Sequence, residues 1–117
     1  MTTILLYGMK APSWNTLYAQ GHWSKRKQLA DDMHMLVRAA LPPDIQPFDV
    51  PVDITITAYY KGALVDCDNI CAKLLIDGLK TWVLRDDNPS WVHSVTTISL
   101  KGKRSHVIIE LTPVTQR

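Results

Sequence analysis

Alternating and helically spaced apolar positions divide the chain into six predicted elements. The run "TILLYGM" from Thr3 to Met9 reads as a strand, and "KAPSWNTLY" after it as a loop whose Pro12, Ser13 and Asn15 supply turn chemistry. Leu29, Met33, Leu36, Val37 and Leu41 recur at helical spacing, which predicts a helix over about Lys25–Leu41, with Ser24 as its N-cap and Pro42 and Pro43 as its stop. In "PVDITITAYY", Ile54, Ile56 and Ala58 alternate with Thr55, Thr57 and Tyr59, the pattern of a half-buried strand. An extended "ALVDCD" then leads into a helix over about Asn69–Lys80. Its apolar stripe is Ala72, Leu75, Ile76 and Leu79, and its other side carries Asn69, Lys73, Asp77 and Lys80. After a loop holding Arg85, Asp86, Asp87, Asn88 and Pro89, the runs "VHSVTTISL" and "HVIIELTPV" flank the turn "KGKR" and predict a hairpin.

The order strand, helix, strand, helix, strand, strand predicts an α+β (α/β-like) domain with a single mixed sheet of about four strands and two main helices. A chain of 117 residues suits one domain spanning residues 1–117, with a single modest core. No apolar run approaches the roughly 18 residues of a membrane span, and the opening "MTTILLYGMK" lacks a basic segment followed by a sustained apolar stretch. The expectation is a cytoplasmic protein that makes no membrane contact. Cys67 and Cys71 have no second Cys or His pair to complete a zinc site and read as reduced thiols. His22, His34, His93 and His106 are scattered and show no nucleophile or metal spacing.

Charge changes the picture through its distribution rather than its total, which is a net +2. Lys25, Arg26 and Lys27 form one basic cluster and Lys101, Lys103 and Arg104 another, while the acids are ten Asp and one Glu. Five of those aspartates crowd "VDCDNICAKLLIDGLKTWVLRDD". Asp66 and Asp68 flank Cys67 where the extended segment ends, so in strand geometry both side chains point to one face and the two carboxylates lie side by side. Two carboxylates held close raise one pKa unless a cation lies between them, and Mg²⁺ is commonly held by one or two such groups. A third Asp from the loop at Asp86 and Asp87 would complete a metal site, with Lys73 able to stabilise developing phosphate charge. The competing reading is a helix N-capped by Asp68, with a solvated acidic face and a Lys73–Asp77 pair.

The constellation Asp66, Asp68, Asn69, Lys73, Asp77, Gly78, Leu79, Asp86 and Asp87 resembles the RusA family of Holliday junction resolvases. "APSWNTLY" is similar to that family's amino-terminal Pro-Ser-x-Asn segment, and "HWSKRKQL" to its Ser-led first helix. In members closest to the type enzyme the helical Lys stands three residues after the Asn, whereas Lys73 stands four after Asn69. The resemblance implies a Mg²⁺-dependent endonuclease, with Mn²⁺ able to substitute, that cuts four-way DNA junctions by paired symmetric nicks bearing 5′-phosphates. It implies Asp66, Asp68 and Asp87 as metal ligands, Lys73 as a catalytic cation, and Asn69, Asp77 and Asp86 as supporting residues.

A two-fold symmetric junction calls for an isologous homodimer. Contacts to branched DNA would fall to Lys25, Arg26, Lys27, Lys101, Lys103 and Arg104, with Trp14 or Trp23 stacking on a splayed base. Two alternatives stay open: a branched-DNA-binding protein that does not cut, and an Asp-x-Asp phosphohydrolase with an Asp nucleophile at a strand end.

Overall fold

The computed structural model describes residues 1–19 and 21–114. It is an α+β fold in which one mixed four-stranded sheet carries its main helices on one face. The strands are β1 (Thr2–Tyr7), β2 (Val52–Tyr60), β3 (Val92–Lys101) and β4 (His106–Pro113), and their order across the sheet is β1-β4-β2-β3. The helices are α1 (Trp14–Ala19), α2 (Trp23–Ala39) and α3 (Ala72–Leu79), with a 3₁₀ turn at Cys67–Asn69. No helix among the described residues is long and apolar enough to cross a membrane.

β2 is an interior strand of the sheet and its most buried: Val52, Ile54, Ile56, Ala58 and Tyr60 are all buried on one face, and Thr57 is buried on the other. Val107, Ile109 and Leu111 of β4 and Ile4 and Leu6 of β1 extend that face. Val37 of α2 and Leu75, Ile76 and Leu79 of α3 close over it. The parallel pair β2/β3 is joined through α3, as parallel strands require a crossover.

Four expectations are corrected. The predicted hairpin does not form: β3 and β4 are antiparallel in direction, but β2 lies between them and pairs with both. The turn after β3 passes over the end of β2, where the Gly102 N–H donates to the Tyr60 carbonyl at 3.0 Å. A period of two specifies which face a strand buries, not which strand lies beside it. The predicted loop "KAPSWNTLY" contains α1, started by Ser13, whose Oγ accepts from the Thr16 N–H at 3.0 Å in the manner of an N-cap. At the start of α2, His22 is the N-cap in place of Ser24, its Nδ1 accepting from the Ser24 N–H at 3.2 Å. Of the stripe expected on α2, only Val37 is buried, and Leu36 stays 44% exposed.

α2 and α3 meet at Gly78. A Cβ built there would lie 2.9 Å from the Val37 Cβ, closer than carbon atoms pack, so the crossing tolerates only hydrogen at this position. This contact holds α3, and with it Lys73 and Asp77, against the rest of the fold.

Candidate acidic site

Beyond β2, Lys61–Val65 lead to Asp66, which is extended at φ −59° and ψ 139°. The chain then turns instead of continuing as a strand. The Asn69 N–H donates to the Asp66 carbonyl at 2.9 Å and closes the 3₁₀ turn. Strand alternation therefore does not place Asp66 and Asp68 side by side, because residues two apart in a 3₁₀ turn are rotated well away from each other. Nor does Asp68 cap a helix: α3 starts only at Ala72, with Cys71 at its N-cap position and no side-chain cap bond. Both carboxylates are exposed, and among the described residues neither takes a hydrogen bond or an ion pair.

The backbone beneath them is fixed from two sides. Thr97 of β3 donates its Oγ1 to the Cys67 carbonyl at 2.8 Å. From the amino-terminal segment, the Asn15 N–H donates to Asn69 Oδ1 at 3.2 Å, the Cys71 N–H donates to the Pro12 carbonyl at 2.8 Å, and Ser13 forms a β-bridge with Ile70. Asn69 thus orders the turn with its side-chain oxygen. Cys67 is exposed and Cys71 buried, both free, and burial raises the Cys71 thiol pKa.

Lys73 lies in the first turn of α3, with its Nζ 3.5 Å from Asp77 Oδ2. The predicted intrahelical pair is present, and it leaves the lysine largely in solvent. Lys80, just past the end of α3, reaches both loop acids, with Nζ 3.6 Å from Asp86 Oδ1 and 3.7 Å from Asp87 Oδ1. The next residue, Thr81, adopts φ 76°, a left-handed conformation costly for a β-branched side chain, and its N–H donates to the Leu84 carbonyl at 2.6 Å. This turn aims the loop that carries the acids.

Asp86 and Asp87 differ in role. Asp86 accepts the Asp87 backbone N–H at 2.8 Å and the Asn88 Nδ2 at 3.3 Å, which shapes the loop. The Asp87 N–H, followed by the Lys80 ammonium, holds the Asp86 carboxyl below its ordinary value. The Asp87 carboxylate is paired with Lys80.

Among the described residues, no three His, Cys, Asp or Glu side chains converge closely enough to hold a metal ion. Asp66, Asp68 and Asp87 therefore do not form a ready three-carboxylate cage. A hydrated Mg²⁺ does not need one, since it usually keeps several waters and takes one or two protein carboxylates with substrate phosphates. Asp66 and Asp68 are hard oxygen donors that fit that requirement. No protein-family model matches the chain, and neither a curated protein nor a solved structure shows significant similarity to it.

The basic candidates divide by their partners. Lys27 pairs with Asp31 at 2.8 Å, and Lys101 donates its Nζ to the Gly62 carbonyl at 2.6 Å. Lys25, Arg26, Lys103 and Arg104 are exposed and make no ion pair with the described residues. Trp14 stacks on Tyr18, and Trp23, 68% exposed, stacks on His22. The sequence signal for the site extends to Lys80, which falls on the polar side of the predicted helix with Lys73 and Asp77; nothing local marks Thr97.

Proposed function

We propose that the chain is a Mg²⁺-dependent, structure-selective DNA endonuclease of the RusA type that resolves four-way junctions, acting as an isologous homodimer. The observation that carries the proposal is the packing of "APSWNTLY" against "DCDNIC". The two segments on which the family resemblance rests, more than fifty residues apart, are hydrogen-bonded at Asn15–Asn69 and Pro12–Cys71. The turn they brace carries two exposed carboxylates that serve neither as caps nor as ion-pair partners among the described residues. A fixed backbone bearing unpaired hard ligands is what a phosphoryl-transfer site needs.

In this mechanism Asp66, Asp68 and Asp87 are the carboxylates that would hold the cation, one or two of them at a time with water completing its shell, and phosphate competing for Lys80 would free Asp87. When bound, Mg²⁺ would supply Lewis acidity at the scissile phosphate and activate water for attack. Lys73, in the first turn of α3, would offset charge on the phosphate, while Asp77 limits where its ammonium can go. Lys25, Arg26, Lys103 and Arg104 neutralise flanking phosphates. A covalent phosphohydrolase fits less well, because Asp66 is exposed and separated from β2 by Lys61–Val65.

The test is cleavage of a synthetic four-way junction with Mg²⁺ or with EDTA. Asp66→Asn and Asp68→Asn should each lower the rate by on the order of a hundredfold or more while junction binding persists. Undiminished cutting by both variants would refute the site, and wild-type protein that binds but never cuts would favour the non-cutting alternative. Light scattering should give twice the chain mass at micromolar concentration; a monomer would remove the homodimer.

A further inference from the structure

Among the described residues no helix covers the sheet face opposite α2 and α3, and the two ends of that face differ in chemistry. The strand registers place side chains on it in cross-strand rows. One row is Tyr7, His106, Tyr59 and Leu100, and the next is Leu5, Ile108, Thr57 and Ile98. The row beyond is Thr3, Glu110, Thr55 and Thr96, followed by Asp53 with Ser94 and Thr112. The aromatic row borders the turn that bears Lys103 and Arg104, and both acids lie toward the opposite end.

The aromatic row is built rather than incidental. Tyr59 and His106 stack at 4.3 Å between ring centroids and 8° between planes. Gly102 lets the turn lie against Tyr59, since a Cβ there would come within 3.2 Å of the Tyr59 Cβ. His106 Nδ1 is 3.1 Å from the Arg104 carbonyl, which can only accept, so Nδ1–H donates and fixes the ring. Tyr7, on the other side of His106, is 77% exposed. Beside it opens a cavity of about 560 Å³ lined by Tyr7, Gly8, Lys103, Arg104, Ser105 and His106. That volume falls within the roughly 300–1,000 Å³ of ligand sites.

We propose that this cavity and its aromatic row bind an unpaired stretch of single-stranded DNA, a base stacking at Tyr7 and His106 while Lys103 and Arg104 hold the adjacent phosphates. The choice of DNA rests on the nuclease reading above. The chemistry is that of a stacking platform beside cations: every base offers a π-face, and the backbone needs positive charge within reach. Glu110 and Asp53 repel phosphate at the far end, so the strand is confined to the basic end. The platform is distinct from the acidic site, whose turn is bonded to Thr97 on the helix-covered face of β3, in register with the buried Ile56.

The experiment is fluorescence anisotropy of a short fluorescein-labelled oligothymidine in EDTA at fixed ionic strength, followed by a salt titration. Tyr7→Ala should weaken binding roughly 5- to 150-fold, the range for loss of one stacked base. Tyr7→Phe should restore it, because the ring and not the hydroxyl is used. The double variant Lys103→Ala/Arg104→Ala should lower affinity and flatten the logarithmic salt slope by about 1.4, for two single-strand phosphates. Urea midpoints like the wild type's verify folding, as expected for side chains this exposed.

Wild-type affinity in both the Tyr7→Ala protein and the double variant would overturn the proposal. So would oligouridine binding more than tenfold tighter than oligothymidine, or Tyr7→Ala dissociating a dimer without weakening the oligonucleotide, which would assign the face to a second copy of the chain. Oligothymidine binding that behaves as expected in a protein unable to cut junctions defeats the nuclease reading alone. Junction cleavage without platform binding defeats this proposal alone.

Discussion

Replacing Gly78 with Ala sets two effects of known size against each other. In an exposed helix interior the change stabilises by about 1 kcal/mol, because Ala is the better helix former. At Gly78 the new methyl would meet the Val37 Cβ at 2.9 Å and its γ carbons at 3.2 and 3.3 Å, all on a side chain that is fully buried. Overpacking of this kind costs typically about 1–3 kcal/mol, so the net expectation is a loss of about 1 kcal/mol. For a domain of this size that is roughly 4 °C in Tm, or a clear fall in the urea midpoint at unchanged m-value.

Val37→Ala alone should cost about 2 kcal/mol for the two buried methyls and the space they leave. Because those methyls supply two of the three clashing contacts, the double variant should be less destabilised than the sum, with a coupling of about 0.5–1 kcal/mol. The Val37 Cβ remains, so relief is partial. A Gly78→Ala protein more stable than wild type by about 1 kcal/mol, or strict additivity in the cycle, would refute the close α2–α3 contact. A family resemblance that includes a small residue before Leu79 would then have no packing cause here.

Two further outcomes concern the loop that carries the second acid pair. Thr81→Gly should stabilise by up to about 1 kcal/mol, since relief of the positive φ exceeds the added freedom of the unfolded chain; a loss measured by urea denaturation would contradict the strain. Asp86 titrates below its ordinary value of 3.8, so its contribution is present above that value and is lost as pH falls through the lower folded value. In a carboxyl NMR titration its midpoint should lie below 3.8 and move upward in Lys80→Gln; a midpoint at or above 3.8 in wild type would dismiss the hydrogen-bonded loop.

Much of the architecture was legible because burial is written in periods. Ile54, Ile56 and Ala58 announced the core face of β2, and Leu75, Ile76 and Leu79 that of α3; all are buried. A helix lying between two strands permits the parallel pairing of β2 and β3 but does not by itself select it. α1 was missed because "SWNTLY" is too short to show a period, and its helix depends on the Ser13 cap. At the site, the Lys73–Asp77 pair was readable from spacing alone, being local to one helix. The approach of Asn15 to Asn69, and of Lys80 to Asp86 and Asp87, was not, since each depends on where separate segments pack.

By itself the sequence determined the core faces of β2 and α3, how many strands and main helices exist, and where the acidic and basic clusters lie along the chain. All of these are properties of local spacing, in which each residue's direction follows from its neighbours a few positions away. Only the tertiary structure decided that β2 inserts between β3 and β4, that the Asp66–Asp68 segment coils into a 3₁₀ turn instead of extending, and that Tyr7, His106 and Tyr59 share one exposed row. Those are choices among partners distant in the chain, settled by competition for one core and for backbone hydrogen bonds, and a local pattern is compatible with more than one winner.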